Sequence, residues 1–314
     1  MKPKKINCIF DTDPGVDDSA AIALSLYDKV IDIKLITTVS GNLDLNTVTR
    51  NLLHLLEKFK RTDIPVAMGA RKPLVRQPKD AKFIHQNEGM GNYIPPKTVK
   101  TKPIEKNAVE AMYDVICKNE NDIVIYMLGP HTNVATLIET HPDVVDKISH
   151  IYCEGCAPYG LKSEGKWVNY ISFNVSSDPE AFEIVMNSTI PITIIPSRMG
   201  RELNNFTEEE VEYISKINDT GKFISEMYTG YWEHGYTDRR IATNDTCACL
   251  ISRYPKLFKT KRCFFTVNTT DAPGKTLVEF SRHGNIEYAY KVNRKKAHQI
   301  YFNAVKDLDR FKFY

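Results

Sequence analysis

The sequence has no apolar run long enough to cross a membrane, which excludes a span built from uninterrupted hydrophobic residues. It has little net charge, a formal +3 over 314 residues, so charge gives no argument for nucleic acid or a membrane surface as a partner. The short basic clusters at 259–262 and 294–296 read as solvated surface. There is no low-complexity segment, no internal repeat and no obvious linker. Residues 1–314 are therefore expected to form a single domain, long enough to bury a large core. Asp11 interrupts the apolar stretch behind Met1-Lys2-Pro3-Lys4-Lys5 too early for a secretory signal, and a cytoplasmic protein is the expectation. The seven cysteines, an odd count without such a signal, argue for free thiols. Cys153-Glu154-Gly155-Cys156 has redox or zinc spacing but no second such pair, and Cys247-Ala248-Cys249 falls in an apolar helix. Both are read as structural.

What the chain does have is a concentration of carboxylates near its start. Asp11, Asp13, Asp17 and Asp18 lie within Phe10-Asp11-Thr12-Asp13-Pro14-Gly15-Val16-Asp17-Asp18. They follow Ile6-Asn7-Cys8-Ile9-Phe10, which predicts a buried strand, and precede Ala20, Ala21, Ile22, Ala23, Leu24 and Leu26, which predict a helix. Pro14-Gly15 supplies the turn between them. The acids thus sit where a strand's carboxyl end meets a helix N-terminus, the usual ligand crevice of an open α/β sheet. The helix dipole favours Asp17 and Asp18 by only about 0.3–1 kcal/mol each, too little to offset the repulsion among close anions. A bound cation offsets it, and Ca²⁺ and Mg²⁺ are the hard ions that prefer oxygen ligands. An EF-hand loop begun at Asp11 fails, because it lacks both the closing Glu and the required Gly. A phosphatase of the Asp-x-Asp type would continue with Gly-Thr, where this chain has Pro14-Gly15.

Strand-like and helix-like stretches alternate through the first two thirds. Strands are predicted at 31–39, 64–68, 123–127, 148–152 and 190–195, and helices at 46–59, 108–118, 132–139 and 179–186. Apolar strands alternating with helices imply an open, mainly parallel central sheet with helices on both faces, an α/β fold. The last third adds C-terminal helices at 208–233, 245–251 and 297–308 and short antiparallel strands at 264–268, 277–280 and 286–292. A long irregular stretch from about 71 to 102 carries His85-Gln86-Asn87-Glu88-Gly89-Met90-Gly91, and loops of that length tend to be lids or binding segments.

Several segments in the right order resemble the nucleoside hydrolases that prefer inosine and uridine. That family opens with Asp-x-Asp-Pro-Gly-x-Asp-Asp, which Asp11 through Asp18 match throughout. Thr37-Thr38-Val39-Ser40-Gly41-Asn42, the His85–Gly91 loop and Leu128-Gly129-Pro130-His131-Thr132-Asn133-Val134-Ala135 are similar to further family segments. So are Phe173-Asn174, Asp178-Pro179-Glu180-Ala181 and Asn244-Asp245. The resemblance implies one Ca²⁺ held by Asp13, Asp18, Asp245 and the backbone carbonyl of Leu128, with ribose hydroxyls completing the shell. It implies that Asp13 takes the proton of an attacking water. Asp17, Asn42 and Asn174 hold the 2′- and 3′-hydroxyls, and Asp11 supports the site from behind. The bond broken is the N-glycosidic bond, through an oxocarbenium-like transition state. The implied partner is a small nucleoside or nucleotide, with no nucleic acid and no membrane, and the implied assembly is a homodimer or homotetramer.

The chain departs from the family at the leaving-group side. The His that commonly protonates the base is Asn244 here, and an amide delivers no proton. His85, His234 and Glu154 are candidate substitutes, and Tyr228 with Trp232, one helical turn apart, could line a base pocket and activate the base by stacking. At the 5′ end, Ser172 stands where the family has Glu, Lys166 where it often has Asn, and Glu154 near a family Met. Removing an anion and adding a cation suits a 5′-phosphate, which makes Lys166, Ser172 and Glu154 candidate substrate contacts. Two readings follow. The first is a Ca²⁺-dependent N-ribohydrolase; the second is a nucleoside-binding protein that kept the metal and diol grip but lost efficient hydrolysis.

Overall fold

Side chains along a strand point alternately to the two faces of its sheet, and the first strand shows why this chain needs helices on both. Cys8 and Phe10 face one hydrophobic core, while Ile9 between them faces another. The structure, a computed structural model, describes residues 4–158, 160, 162–163, 166–167, 170–234 and 239–308. The chain opens with β1 (Ile6–Thr12), α1 (Val16–Ser25), β2 (Ile31–Thr38), α2 (Leu45–Lys58) and β3 (Val66–Met68). After the short helix α3 (Lys82–His85) come α4 (Ala108–Lys118), β4 (Ile123–Met127), α5 (Thr132–Thr140) and β5 (Ile148–Glu154). A small ribbon, β6 (Lys162–Ser163) and β7 (Lys166–Trp167), precedes α6 (Phe173–Ser177), α7 (Pro179–Met186) and β8 (Ile192–Ile195). The final part holds α8 (Glu208–Ser215), α9 (Asp219–His234), α10 (Asn244–Arg253), β9 (Phe258–Val267), β10 (Thr276–Phe280), β11 (Ile286–Val292) and α11 (Arg294–Leu308).

The main sheet has nine strands in the order β10-β9-β11-β8-β5-β4-β1-β2-β3. From β3 to β11 every neighbouring pair is parallel, and β9 joins β11 and β10 antiparallel. One face is covered by helices that contribute Ile22, Leu52, Ile224, Leu250 and Tyr301 to a single core. The other is covered through Met112, Leu137 and Phe182. β1 has β2 on one side and β4 on the other. The chain therefore leaves the centre of the sheet in both directions, and the crevice at the carboxyl ends of β1 and β4 is where such a sheet binds ligands.

The expected α/β architecture is observed, with three differences of local origin. The expected helix over 208–233 is two helices, because Asn218 starts the second: its side chain accepts from Gly221 N at 2.8 Å and its carbonyl from Lys222 N at 2.9 Å. β9 begins at Phe258, well before the expected position, because its first residues pair with β11 as far as Val292. β5 runs on to Glu154, which pairs with Ile195 of β8, so Glu154 ends a strand rather than sitting in a loop. The irregular stretch after β3 is tied down at Leu74, whose amide donates to Asp178 at 2.9 Å, and at Arg76, whose guanidinium meets Glu180 at 2.6 Å. Cys156 and the other six cysteines are free thiols. Among the described residues no helix is long and apolar enough to cross a membrane.

Candidate active site

The strand end of β1 delivers Asp11 into a polar socket. Its Oδ1 accepts from Thr37 Oγ1 at 2.6 Å and from Asn133 Nδ2 at 2.8 Å, so neighbours on β2 and α5 hold it. Burial pushes the Asp11 carboxyl up to about 7 against the opposing pull of those two hydrogen bonds. Two residues on, Asp13 Oδ2 accepts from the Asn42 backbone amide at 2.7 Å. Its Oδ1 is buried with no hydrogen-bond partner among the described residues. The backbone crowds this carboxylate so closely that a side chain at Gly41 or Gly129 would collide with it.

Gly15 begins α1, and Asp18 reaches back to accept from the Gly15 amide at 3.1 Å. Its other oxygen accepts from Thr12 Oγ1 at 2.5 Å, and Asn42 Nδ2 donates to Asp18 at 3.1 Å. His85, at the end of α3, accepts the Val16 amide on Nδ1 at 3.0 Å, which leaves its proton on Nε2. Burial holds the His85 pKa down to about 3, so the ring is neutral. The same contact ties the long loop to the acidic turn.

α10 then brings Asp245 from far downstream. Carboxylate oxygens of Asp17, Asp18 and Asp245 lie within 4.8 Å of one another. On the opposite side Asn174, in α6, donates to the Leu128 carbonyl at 2.6 Å and to Glu154 Oε2 at 2.8 Å. Ser197 Oγ approaches Glu154 Oε1 at 3.4 Å and Ser172 Oγ at 3.3 Å. Six carboxylates are buried here: Asp11, Asp13, Asp17, Asp18, Glu154 and Asp245. Burial raises the pKa of each, and mutual repulsion adds to it for Asp13, Asp17, Glu154 and Asp245. For Asp245 the repelling neighbours are Asp18, Asp17, Glu154 and Asp13, in falling order. Such a set favours a bound cation, because neutralisation by protons is the alternative.

A cavity of about 360 Å³ opens onto these groups. Asp13, Asp17, Asp18, Asn42, His85, Leu128, Glu154, Ser172, Asn174, Asn244 and Asp245 all line it, and Asp11 stands behind Asp13. Two of the residues proposed from sequence do not reach it. Tyr228 is turned into the core, where its hydroxyl pairs with that of Tyr301 at 2.7 Å. Trp232 packs against the same core. On α9 the residue that faces the cavity is Tyr231, its ring edge-on to His85 with centroids 5.8 Å apart. Lys166 pairs through its backbone with Ser163, and its side chain lies outside the described residues, as does that of His234.

Further lining residues carry no signal in a local motif: Phe83 and Ile84 from α3, Ser197 after β8, Tyr170 and Arg201. Arg201 belongs to a π-helical turn, Met199–Leu203, and its guanidinium lies 4.9 Å from the Tyr170 ring. That turn packs so tightly on the start of α10 that a side chain at Gly200 would strike Asn244. Asn244 Oδ1 is buried with no hydrogen-bond partner among the described residues. A second, larger groove of about 560 Å³ lies at the far ends of α1 and α10, lined by Leu24, Leu250 and Tyr301, and holds none of the six acids.

Known proteins match this arrangement along nearly the whole chain. The family model for inosine-uridine preferring nucleoside hydrolases matches residues 8–313. A non-specific ribonucleoside hydrolase, RihC, from Klebsiella pneumoniae is 33% identical over 280 residues, covering 88% of each chain. Among solved structures, the plant nucleoside hydrolase PpNRh1 superposes with a TM-score of 0.87 at 27% identity, covering 97% of this chain and 99% of that one. A purine-preferring ribonucleoside hydrolase from Gardnerella vaginalis shares the fold, with a TM-score of 0.86 at 23% identity over 96% of this chain and 98% of that one.

Proposed function

This chain belongs to the inosine-uridine preferring nucleoside hydrolase family, enzymes that cleave N-glycosidic bonds, and we propose that it is a calcium-dependent ribonucleoside hydrolase that releases a free base and a ribose moiety. The observation that carries the reading is the joint placement of Asp17, Asp18 and Asp245 around one point. The donor set fits a hard cation. It is made of oxygens only, one of them the orphaned Asp13 Oδ1, with the Leu128 carbonyl on the same cavity. Asp13, Asp18, Asp245 and Leu128 would hold Ca²⁺, with Asp17 beside them. When bound, such an ion lowers the pKa of a nearby water and offsets the charge of the acids.

The chain's own residues do the rest. Asp13 takes the proton of the attacking water, and Asp11, locked by Thr37 and Asn133, keeps the turn in place behind it. Asp17, Asn42 and Asn174 hold the sugar's 2′- and 3′-hydroxyls. Fixed carboxylates close to the sugar ring stabilise the positive charge that develops as the glycosidic bond breaks. We place the base against Phe83, Ile84, His85 and Tyr231, which line the cavity. We read residues 1–314 as one such domain, because strands from both ends of the chain join one sheet.

Asn244 favours a second reading, a nucleoside-binding protein with impaired hydrolysis. Its amide carries no transferable proton, and His85 is held neutral with Nδ1 engaged. Missing general acid catalysis lowers a rate by roughly 10²–10⁴-fold. A reducing-sugar assay separates the two. It uses inosine, uridine, adenosine, cytidine and their 5′-monophosphates, each with Ca²⁺ and with a chelator. Chelator-sensitive release from any of them supports the hydrolase, and binding of all without release supports the binder.

A further inference from the structure

The second groove, of about 560 Å³, runs between α1, α10 and α11 and has the size of a small-molecule site. On α10 it is lined by Thr246, Cys249, Leu250 and Arg253, one face of the helix over a run of about 10 Å. Its two ends differ. At one end Thr246 is 3% exposed, and its Oγ1 is buried with no hydrogen-bond partner among the described residues. Thr246 is only the third residue of α10, so the carbonyl four residues back, the usual acceptor for a helical threonine, belongs to Ala242 outside the helix. Ser25, which lines the groove from α1, does make that bond, to the Ala21 carbonyl at 2.8 Å. A buried hydroxyl without a partner is destabilising, and a ligand's polar group supplies one.

We propose that this groove is a ligand site separate from the acidic cavity, built for an elongated, mostly apolar monoanion such as an aromatic carboxylate, with one hydrogen-bonding group at its inner end. The middle of the groove is apolar, lined by Leu24, Leu250, Ile300 and Tyr301. No charge lies there, since burial pushes the Cys249 thiol up to about 12 and keeps it neutral. Charge collects at the end opposite Thr246. There Asp28 accepts from the Val30 amide at 2.7 Å and pairs with Arg253 at 3.4 Å. Asp307, on α11, has a partner of its own. Lys29, next to Asp28, is exposed and has no hydrogen bond or ion pair among the described residues. One uncommitted ammonium beside two acids matches a single negative charge, whereas a doubly ionised phosphate would also be repelled by both acids. A molecule about 10 Å long puts its anion on Lys29, its polar end on Thr246 and its apolar body between them.

The test uses the full chain with Ca²⁺ and anilinonaphthalene sulfonate, an aromatic monoanion with one N–H, titrated by fluorescence. Expected is saturable binding of about one probe per chain, undisturbed by inosine at the acidic cavity. Lys29→Ala should weaken it about 2- to 5-fold and Thr246→Val about 3- to 10-fold, the scales of an exposed ion pair and of one hydrogen bond. Ala304→Trp, which fills the groove from a half-buried position on α11, should weaken it at least about tenfold while leaving the Ca²⁺ affinity unchanged. Lys29→Ala, at an exposed position, reads the same site if Ala304→Trp does not fold. Probe binding that is absent, displaced by inosine, unaltered by Ala304→Trp and Lys29→Ala, or gained only when residues 309–314 are removed would overturn the assignment. So would a dimer of this chain, seen by light scattering, that Ala304→Trp dissociates, because the groove would then belong to a second copy.

Discussion

Asp18 and Asp245 bring carboxylate oxygens within 4.8 Å of each other from two helices, α1 and α10, that are far apart in the chain. Their repulsion is part of what raises the Asp245 pKa, after burial. Replacing Asp245 by Asn should therefore have opposite effects on activity and on stability. Hydrolysis should fall by about 10²–10³-fold, the scale of one lost electrostatic group at a reacting centre. In chelator the melting temperature should rise, because one repelling anion is gone. Steady-state kinetics and thermal melts on the same preparation check both.

Tyr231 and Tyr228 should separate by function. Tyr231→Ala removes an aromatic face from the cavity and should lower kcat/KM by about 10- to 100-fold if it stacks on the base. Tyr228→Phe removes only the hydroxyl pair with Tyr301 and should cost about 1 kcal/mol of stability with kcat/KM unchanged.

His131 predicts an acid sensitivity. It is fully buried with Nδ1 unpartnered among the described residues, and burial holds its pKa down to about 4 from an ordinary 6.5. A folded-state pKa below the unfolded one means that the unfolded chain binds the proton first. The stabilising contribution of the neutral ring is complete above about pH 6.5 and is lost as the pH falls towards 4. Urea unfolding of the wild type and of His131→Leu at about pH 7 and about pH 4.5 should show the wild type losing about 2 kcal/mol more than the variant.

Cys156 reverses an ordinary substitution rule. It sits at φ 92°, a left-handed conformation that is strained for any side chain. Cys156→Gly and Cys156→Ala both remove the thiol, but only glycine relieves the backbone. The glycine variant should be the more stable of the two by about 1 kcal/mol, measured by urea unfolding.

Much of the fold could be read from local pattern because strands and helices advertise themselves by period. The acidic turn was legible for a stronger reason: Pro14-Gly15 between an apolar run and a helix leaves the acids one possible location, the sheet's crevice. The cavity wall was not legible in the same way. Tyr228, Tyr231 and Trp232 all fall within one turn of α9, and which of them faces the cavity depends on how that helix is rotated against the core. Asn218 has the pattern of an ordinary polar helix position, and only its side-chain bond to Gly221 N marks the start of a new helix. Glu154 has its surroundings only because β5 runs to its full length and because Asn174 and Ser197 arrive from other segments. Asn133, which anchors Asp11 from α5, stood inside a recognised segment without any feature to mark its partner.

A cation held jointly by the first turn and by α10 is measured by calcium titration in a calorimeter. The wild type should bind about one Ca²⁺ per chain, with the affinity lost in both Asp18→Asn and Asp245→Asn, and a matching rise in melting temperature on Ca²⁺ addition seen only in the wild type. A wild-type protein that binds no Ca²⁺, or an Asp245→Asn variant that binds it as tightly as the wild type, would contradict it.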